Sequence, residues 1–220
     1  MIDYKNILSL AKEILAIPSP SGYTKEVINF LVEICKKENY VYEVLNNGNL
    51  MVTIPGEDDY IVGLSAHVDT LGAMISAING DGTLKFDPIG SPVLPTYDGE
   101  YCTIHTRSGK VYNGTFLSNS PAAHVFSDSS SKQRSKDNMH VRIDELVHNK
   151  AEVKALGIEN GDYIALDPKT EITESGFIKS RFLDDKLSVA IIFELFKELK
   201  ENKLTPKHTL KLIITTHLLE

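Results

Sequence analysis

The chain is 220 residues long, 42% hydrophobic and 24% charged, an ordinary globular composition with room for one large domain or two small ones. Its 23 basic and 30 acidic side chains leave a net charge of −7, which argues against the basic footprint of a nucleic-acid binder. No apolar run approaches the roughly 20 residues of a membrane span. The opening MIDYKNILSLAKEIL, interrupted by Asp3 and Glu13, lacks the apolar core of a secretory signal, so a cytoplasmic protein is expected.

Apolar residues at Ile7, Leu8, Ala11, Ile14 and Leu15 mark one face of a helix, with Asp3 as its N-cap. IPSPSG at 17–22 breaks it, and a second helix follows with Val27, Ile28, Leu31, Ile34 and Cys35 on one face. Tyr40–Leu45 and Leu50–Ile54 read as strands joined through Asn46-Asn47-Gly48-Asn49, a hairpin signal. Ile61–Ala66 is apolar throughout, which predicts a strand buried on both faces in a sheet flanked by helices. It stops at His67, with Asp69 two residues on.

The texture then changes to short strands with glycine turns: 73–78, 83–86, 101–106 and 111–117. This block predicts a small all-β barrel. The serine-rich stretch 127–138 predicts a mobile surface loop. Asn149 and Glu152 form a capping-box-like pair, and Gly157 a helix stop. Strands are expected at 163–166 and 177–180. Asp184 opens a strong helix whose face carries Leu187, Ala190, Ile191, Leu195 and Leu199, and 209–216 is a final strand. The two cysteines, Cys35 and Cys102, have no CxxC spacing and read as reduced thiols. No internal repeat is present.

The predicted architecture is an α/β domain made of 1–71 and 166–220, interrupted by a β-domain at 72–165. In such sheets, ligands gather at the carboxyl ends of strands. His67 stands at one, and a neutral imidazole there is a good zinc or cobalt ligand. Asp69 is better placed to accept the imidazole N–H and set its tautomer than to bind the metal itself. The plainer reading is a histidine satisfied by Asp69 at a strand end. Asp184-Asp185 likewise admits two readings: acidic residues favoured at a helix N-terminus, or one cap and one carboxylate that bridges metals roughly 3.5–4 Å apart.

Four motifs in order resemble the family 42 metallo-aminopeptidases: IPSPSG, AHVDTLG, SRFLDDKLSVA, with Lys186 where arginine is usual, and LGIENGDYIALDP. The resemblance runs over essentially the whole chain, though only over the N-terminal two-thirds of the family pattern. It implies a zinc-peptidase-like three-layer α/β/α domain, incomplete at the C-terminus, with a small inserted barrel used for oligomerisation. It implies two divalent metals (zinc or cobalt, with manganese a further option) and peptide substrates trimmed from the amino end. His67 would then be a metal ligand, Asp69 its orienting carboxylate and Asp184 the bridging ligand. The family's general base comes from a Glu-Glu pair directly after the strand at 209–216. Here Leu218-Leu219 occupy those positions, with Glu220 about 6.6 Å too far along an extended strand. The family's later Asp and His ligands have no counterpart in this sequence. The expectation is a two-metal aminopeptidase chain that is inactive on its own and forms homo-oligomers. The alternatives are a non-catalytic assembly or binding module and a related metal-dependent deacylase or carboxypeptidase. An exposed apolar edge at the strand 209–216 is also expected, with self-association through it.

Overall fold

A computed structural model describes residues 3–217. The chain divides into two compact units, one running to Thr70 and resuming at Pro168, the other spanning Leu71–Asp167.

The first unit opens with helix α1 (Tyr4–Ala16), capped by the Asp3 carboxylate accepting from the Lys5 N–H at 2.9 Å. Helix α2 (Lys25–Glu38) follows and ends on Asn39 in the left-handed conformation. Each buries the predicted apolar stripe: Ile7, Ala11, Ile14 and Leu15 on α1, and Val27, Ile28, Leu31 and Cys35 on α2. Strands β1 (Val41–Val44) and β2 (Leu50–Ile54) form the expected antiparallel hairpin. Strand β3 (Asp58–His67) runs up to the histidine.

The second unit is a closed barrel. Its strands are β4 (Gly72–Ile78), β5 (Leu84–Ile89), β6 (Tyr101–His105), β7 (Val111–Ser118), β8 (Met139–Ile143) and β9 (Tyr163–Leu166), joined in the order β4-β5-β8-β7-β6-β9. Phe86, Tyr97 and Phe116 fill the interior, with ring centroids 4.9 Å apart for Phe86–Phe116 and 5.0 Å for Tyr97–Phe116. The short helix α3 (Lys150–Ala155) is capped as expected: Asn149 accepts from the N–H groups of Ala151 and Glu152. The Glu152 carboxylate reaches back to the His148 N–H at 2.6 Å. Strand β8 was not foreseen, because its alternating pattern abuts the polar loop before it.

That loop lies at the surface, as expected, and is tied to the barrel by side-chain hydrogen bonds. Arg134 donates from Nε to Asp98 at 2.9 Å and from Nη1 to the carbonyls of Ser129 and Lys132. Lys132 donates to Ser120 Oγ at 2.9 Å. Its cations pair within the fold, so the polar composition reflects an internal network, not solvation alone.

The chain then returns to the first unit with a hairpin of two short strands, β10 (Glu171–Ile172) and β11 (Ile178–Lys179), then helix α4 (Leu183–Glu201) and strand β12 (His208–Thr215). The sheet order is β1-β2-β12-β3, with β12 antiparallel to β2 and parallel to β3. Leu50, Val52, Ala66, Leu212 and Ile214 lie on one face and share a single core with α1, α2 and α4.

Three expectations change here. Strand β12 is not an edge: it lies between β2 and β3, so the edges are β1 and β3. Strand β3 is not covered on both faces, since Ile61 is 53% exposed and Gly63 and Ser65 are exposed. Among the described residues no helix covers that second face, where Ile213 is also partly exposed. On α4 the buried line runs through Lys186, Val189, Ala190, Phe193 and Phe196, while Ile191 is 46% exposed. That helix is apolar around much of its circumference, so periodicity alone does not select its inner face.

Candidate metal centre at the carboxyl end of strand β3

The site residues follow from where β3 ends. His67 is its last residue and is 2% exposed. After it the chain turns through Val68, Asp69 and Thr70, all buried. The turn is clamped by the loop that leaves α1. The Thr70 N–H donates to the Ser19 carbonyl at 2.8 Å, and the Ser21 N–H to the Thr70 carbonyl at 3.2 Å. Ser19 Oγ donates to the Val68 carbonyl at 2.7 Å, and Ser21 Oγ to Asp69 Oδ2 at 2.6 Å. The second is a short, charge-assisted bond that fixes the orientation of the buried carboxylate. The two prolines and the glycine of IPSPSG thus shape a loop whose serines grip the strand end.

Asp69 in turn faces the imidazole. His67 Nδ1 lies 3.0 Å from the Asp69 carbonyl and 3.3 Å from its Oδ1. The Asp69 hydrogen bond raises the histidine pKa above its ordinary value, with burial working in the opposite direction. A ring with Nδ1 engaged in this way presents Nε2 outward as the free ligand atom. Nε2 lies 3.3 Å from Asp184 Oδ1.

Asp184 arrives from an irregular start to α4. Phe182 has a φ of +67°, a left-handed conformation uncommon for a bulky side chain. Asp184 and Asp185 have non-helical backbone angles, and no side chain caps the helix. The sequence suggested that one of the two carboxylates caps the N-terminus, but the regular helix begins only after both. This frees the Asp184 carboxylate, whose side chain is 93% exposed, to face His67. The three sequence-selected residues, His67, Asp69 and Asp184, are therefore brought together, although Asp184 follows His67 by 117 positions.

With metal–ligand bonds of about 2.0–2.2 Å, two donor atoms 3.3 Å apart subtend roughly 105° at a shared ion, close to the tetrahedral angle. An orphaned polar atom lies at the same strand end: Thr215, the register partner of His67 on β12, has a buried hydroxyl with no hydrogen-bond partner. The donor set of one imidazole and one carboxylate suits zinc, cobalt or manganese. These residues fit one flank of a metal site. They do not complete it, since no group of three histidine, cysteine, aspartate or glutamate side chains converges among the described residues. Leu218, Leu219 and Glu220, which follow β12, lie outside the described residues.

Sequence reasoning passed over four contributors: Ser19, Ser21, Thr215 and Lys186. The serines carried a readable signal, as hydroxyls beside the turn residues of a loop that leads into a helix. Lys186 carried none, because the apolar residues of α4 nearly surround it and its buried face shows only in the structure.

The sequence profile described as M42 glutamyl aminopeptidase matches residues 48–217. The YhfE protein of Bacillus subtilis (strain 168) is 44% identical over 219 residues, covering 99% of this chain and 63% of its own length. The glutamyl aminopeptidase of Lactococcus lactis subsp. cremoris is 26% identical over 196 residues, covering 88% of this chain and 55% of its own. Among solved structures, the TET aminopeptidase of the marine sediment archaeon Thaumarchaeota archaeon SCGC AB-539-E09 superposes with a TM-score of 0.88. It does so at 20% identity, over 98% of this chain and 59% of that one. The chain spans 55–63% of the length of these two curated relatives. The fold, with its α/β sheet and closed barrel, is that of the solved TET aminopeptidase. The chain belongs to the M42 glutamyl aminopeptidase family.

Proposed function

We propose that this protein is a metal-dependent aminopeptidase, in which His67 and Asp184 are metal ligands and Asp69 orients His67. The observation that carries the reading is the convergence of His67 Nε2 and Asp184 Oδ1 at 3.3 Å, with Asp69 behind the opposite ring nitrogen. His67 and Asp184 would hold a divalent ion, which would supply Lewis-acid chemistry for peptide hydrolysis. The residues in hand hold and orient. Ser21 fixes Asp69, Asp69 fixes the His67 tautomer, and Asp184 supplies a second oxygen for a bridging role. Two metals, as the family resemblance implies, and substrates cut at the free amino end belong to the same proposal.

The leucines at 218 and 219 favour a second element of the reading. With no carboxylate there to take the proton of the attacking water, this chain by itself binds metal without turning over peptide. The experiment is equilibrium dialysis against Zn2+, Co2+ or Mn2+ alongside hydrolysis of aminoacyl-anilides, for the chain and its His67→Ala variant. His67-dependent metal binding without turnover is expected. Metal uptake unchanged by His67→Ala would overturn the site. Turnover abolished by His67→Ala would overturn the inactivity of the chain.

The barrel is proposed as the assembly element, supported by exposed apolar residues such as Val93, Tyr101 and Leu146. A cytoplasmic location is part of the same reading, supported by two free, buried cysteines. Sedimentation of the chain at several concentrations tests the assembly: a monomer throughout contradicts it.

A further inference from the structure

A buried lysine joins the two segments that carry the site. Lys186 is 1% exposed, and its ammonium donates to the carbonyls of Ile14 at 3.0 Å and Ile17 at 2.7 Å. These carbonyls belong to the last turn and the C-cap of α1. That helix has no basic residue in its own last turn, so the side-chain donor that covers its last carbonyls comes from α4. Ile17 leads directly into the loop whose Ser19 and Ser21 hold Val68 and Asp69. At the other end of the link, Lys186 follows Asp184 by two residues, at the first regular position of α4.

Building on the metal-site reading above, we infer that Lys186 is a positioning residue that sets the separation between the His67–Asp69 pair and the Asp184 carboxylate. One side chain spans from the start of the α4 helix to the end of α1. From there the loop carries the restraint through Ser21 to Asp69 and so to the His67 ring. On the Asp184 side, Phe182 and Leu183 pack against the core, but the carboxylate itself is almost fully exposed and the helix start has no side-chain cap. Without Lys186 the two carbonyls lose their buried donor, and the loop and helix start are free to separate. The 3.3 Å approach of Nε2 to Oδ1 then ceases to be the favoured one. A lysine that merely capped α1 would lower stability alone and leave metal affinity of the folded protein unchanged.

The test is Co2+ binding to the full chain, measured by equilibrium dialysis and by the visible absorption of bound cobalt. Folding of each variant is checked by circular dichroism. Folded Lys186→Met is expected to bind Co2+ about tenfold more weakly, as expected when a positioning group behind metal ligands is removed. Its cobalt absorption should also shift. Lys186→Arg, which keeps a cation with several donors, is expected to stay within about twofold of the wild type. Lys186→Gln replaces the methionine variant should the latter not fold, and is read in the same way. Equal affinity and spectrum in the wild type and the folded Met or Gln variant overturns the inference. So does an arginine variant as weak as the methionine one. Cobalt binding that survives His67→Ala overturns the metal site itself, a separate outcome.

Discussion

The barrel and the sheet meet the same physical problem in different ways. Every strand of the barrel has two neighbours, so no backbone edge is left for another chain to pair with. Its fully buried Asp162 serves turns, accepting from the N–H groups of Arg107 and Glu159. Among the described residues the sheet keeps two edges, β1 and β3, and only one of its faces is packed by helices. Five of its buried polar groups, Ser19, Ser21, His67, Asp69 and Thr70, meet at the end of β3. The saturated unit is built for stability. The unsaturated one holds polar groups at fixed distances, and it is there that chemistry is proposed.

The comparison is broken most directly in the barrel interior. Phe116→Ala removes the ring packed between Phe86 and Tyr97 and is expected to cost about 3–5 kcal/mol in denaturant unfolding. A loss below about 1 kcal/mol would mean that the barrel is not close-packed there.

The sheet offers a paired test on a single strand. Leu212 is fully buried against the helices, and its neighbour Ile213 faces the other side. Leu212→Ala is expected to cost about 2–5 kcal/mol, and Ile213→Ala less than about 0.5 kcal/mol, the range for exposed positions. Comparable losses at both positions would show that the second face is covered in solution. Concentration-dependent stability of the Ile213 variant would identify a second copy as the cover.

A smaller effect tests the helix start in the barrel unit. Asn149→Ala removes the side chain that accepts two free N–H groups of α3 and is expected to cost about 1 kcal/mol. Asn149→Asp, which keeps an acceptor at the cap, should recover most of it.

The smallest effect is a pH dependence. Burial lowers the His140 pKa below its ordinary value, so the folded barrel favours the neutral ring. The unfolded chain therefore takes up the proton first. Stability is unaffected above the ordinary histidine value of about 6.5. It falls as the pH drops below that value, and levels off once the folded ring is also protonated. His140→Gln should flatten this part of the stability–pH curve. Unchanged curves in the two proteins would remove His140 from the acid response.

Much of this could be read along the chain. Local periodicity marked α1 and α2, because each buries a stripe set by its own repeat, and the turn residues Asn46-Asn47-Gly48-Asn49 marked the β1–β2 hairpin. Asn149 with Glu152 marked α3, since capping is a contact between near neighbours. His67, Asp69 and Asp184 stood out by residue type beside abrupt ends of apolar runs. What the sequence did not convey is which strand neighbours which. The insertion of β12 between β2 and β3 depends on pairing across more than 140 residues, and one-dimensional alternation is the same for an edge strand and a central one. The inner face of α4 was hidden because its apolar residues nearly surround it. Lys186 shows the limit most clearly. By residue type a lysine belongs on the surface. Only the tertiary structure, by placing the carbonyls of Ile14 and Ile17 at the start of α4, makes its burial favourable. The chain by itself determined the helices, the hairpin and the candidate ligands. The tertiary structure decided their separations, because distances between remote residues are set by packing that no local pattern records.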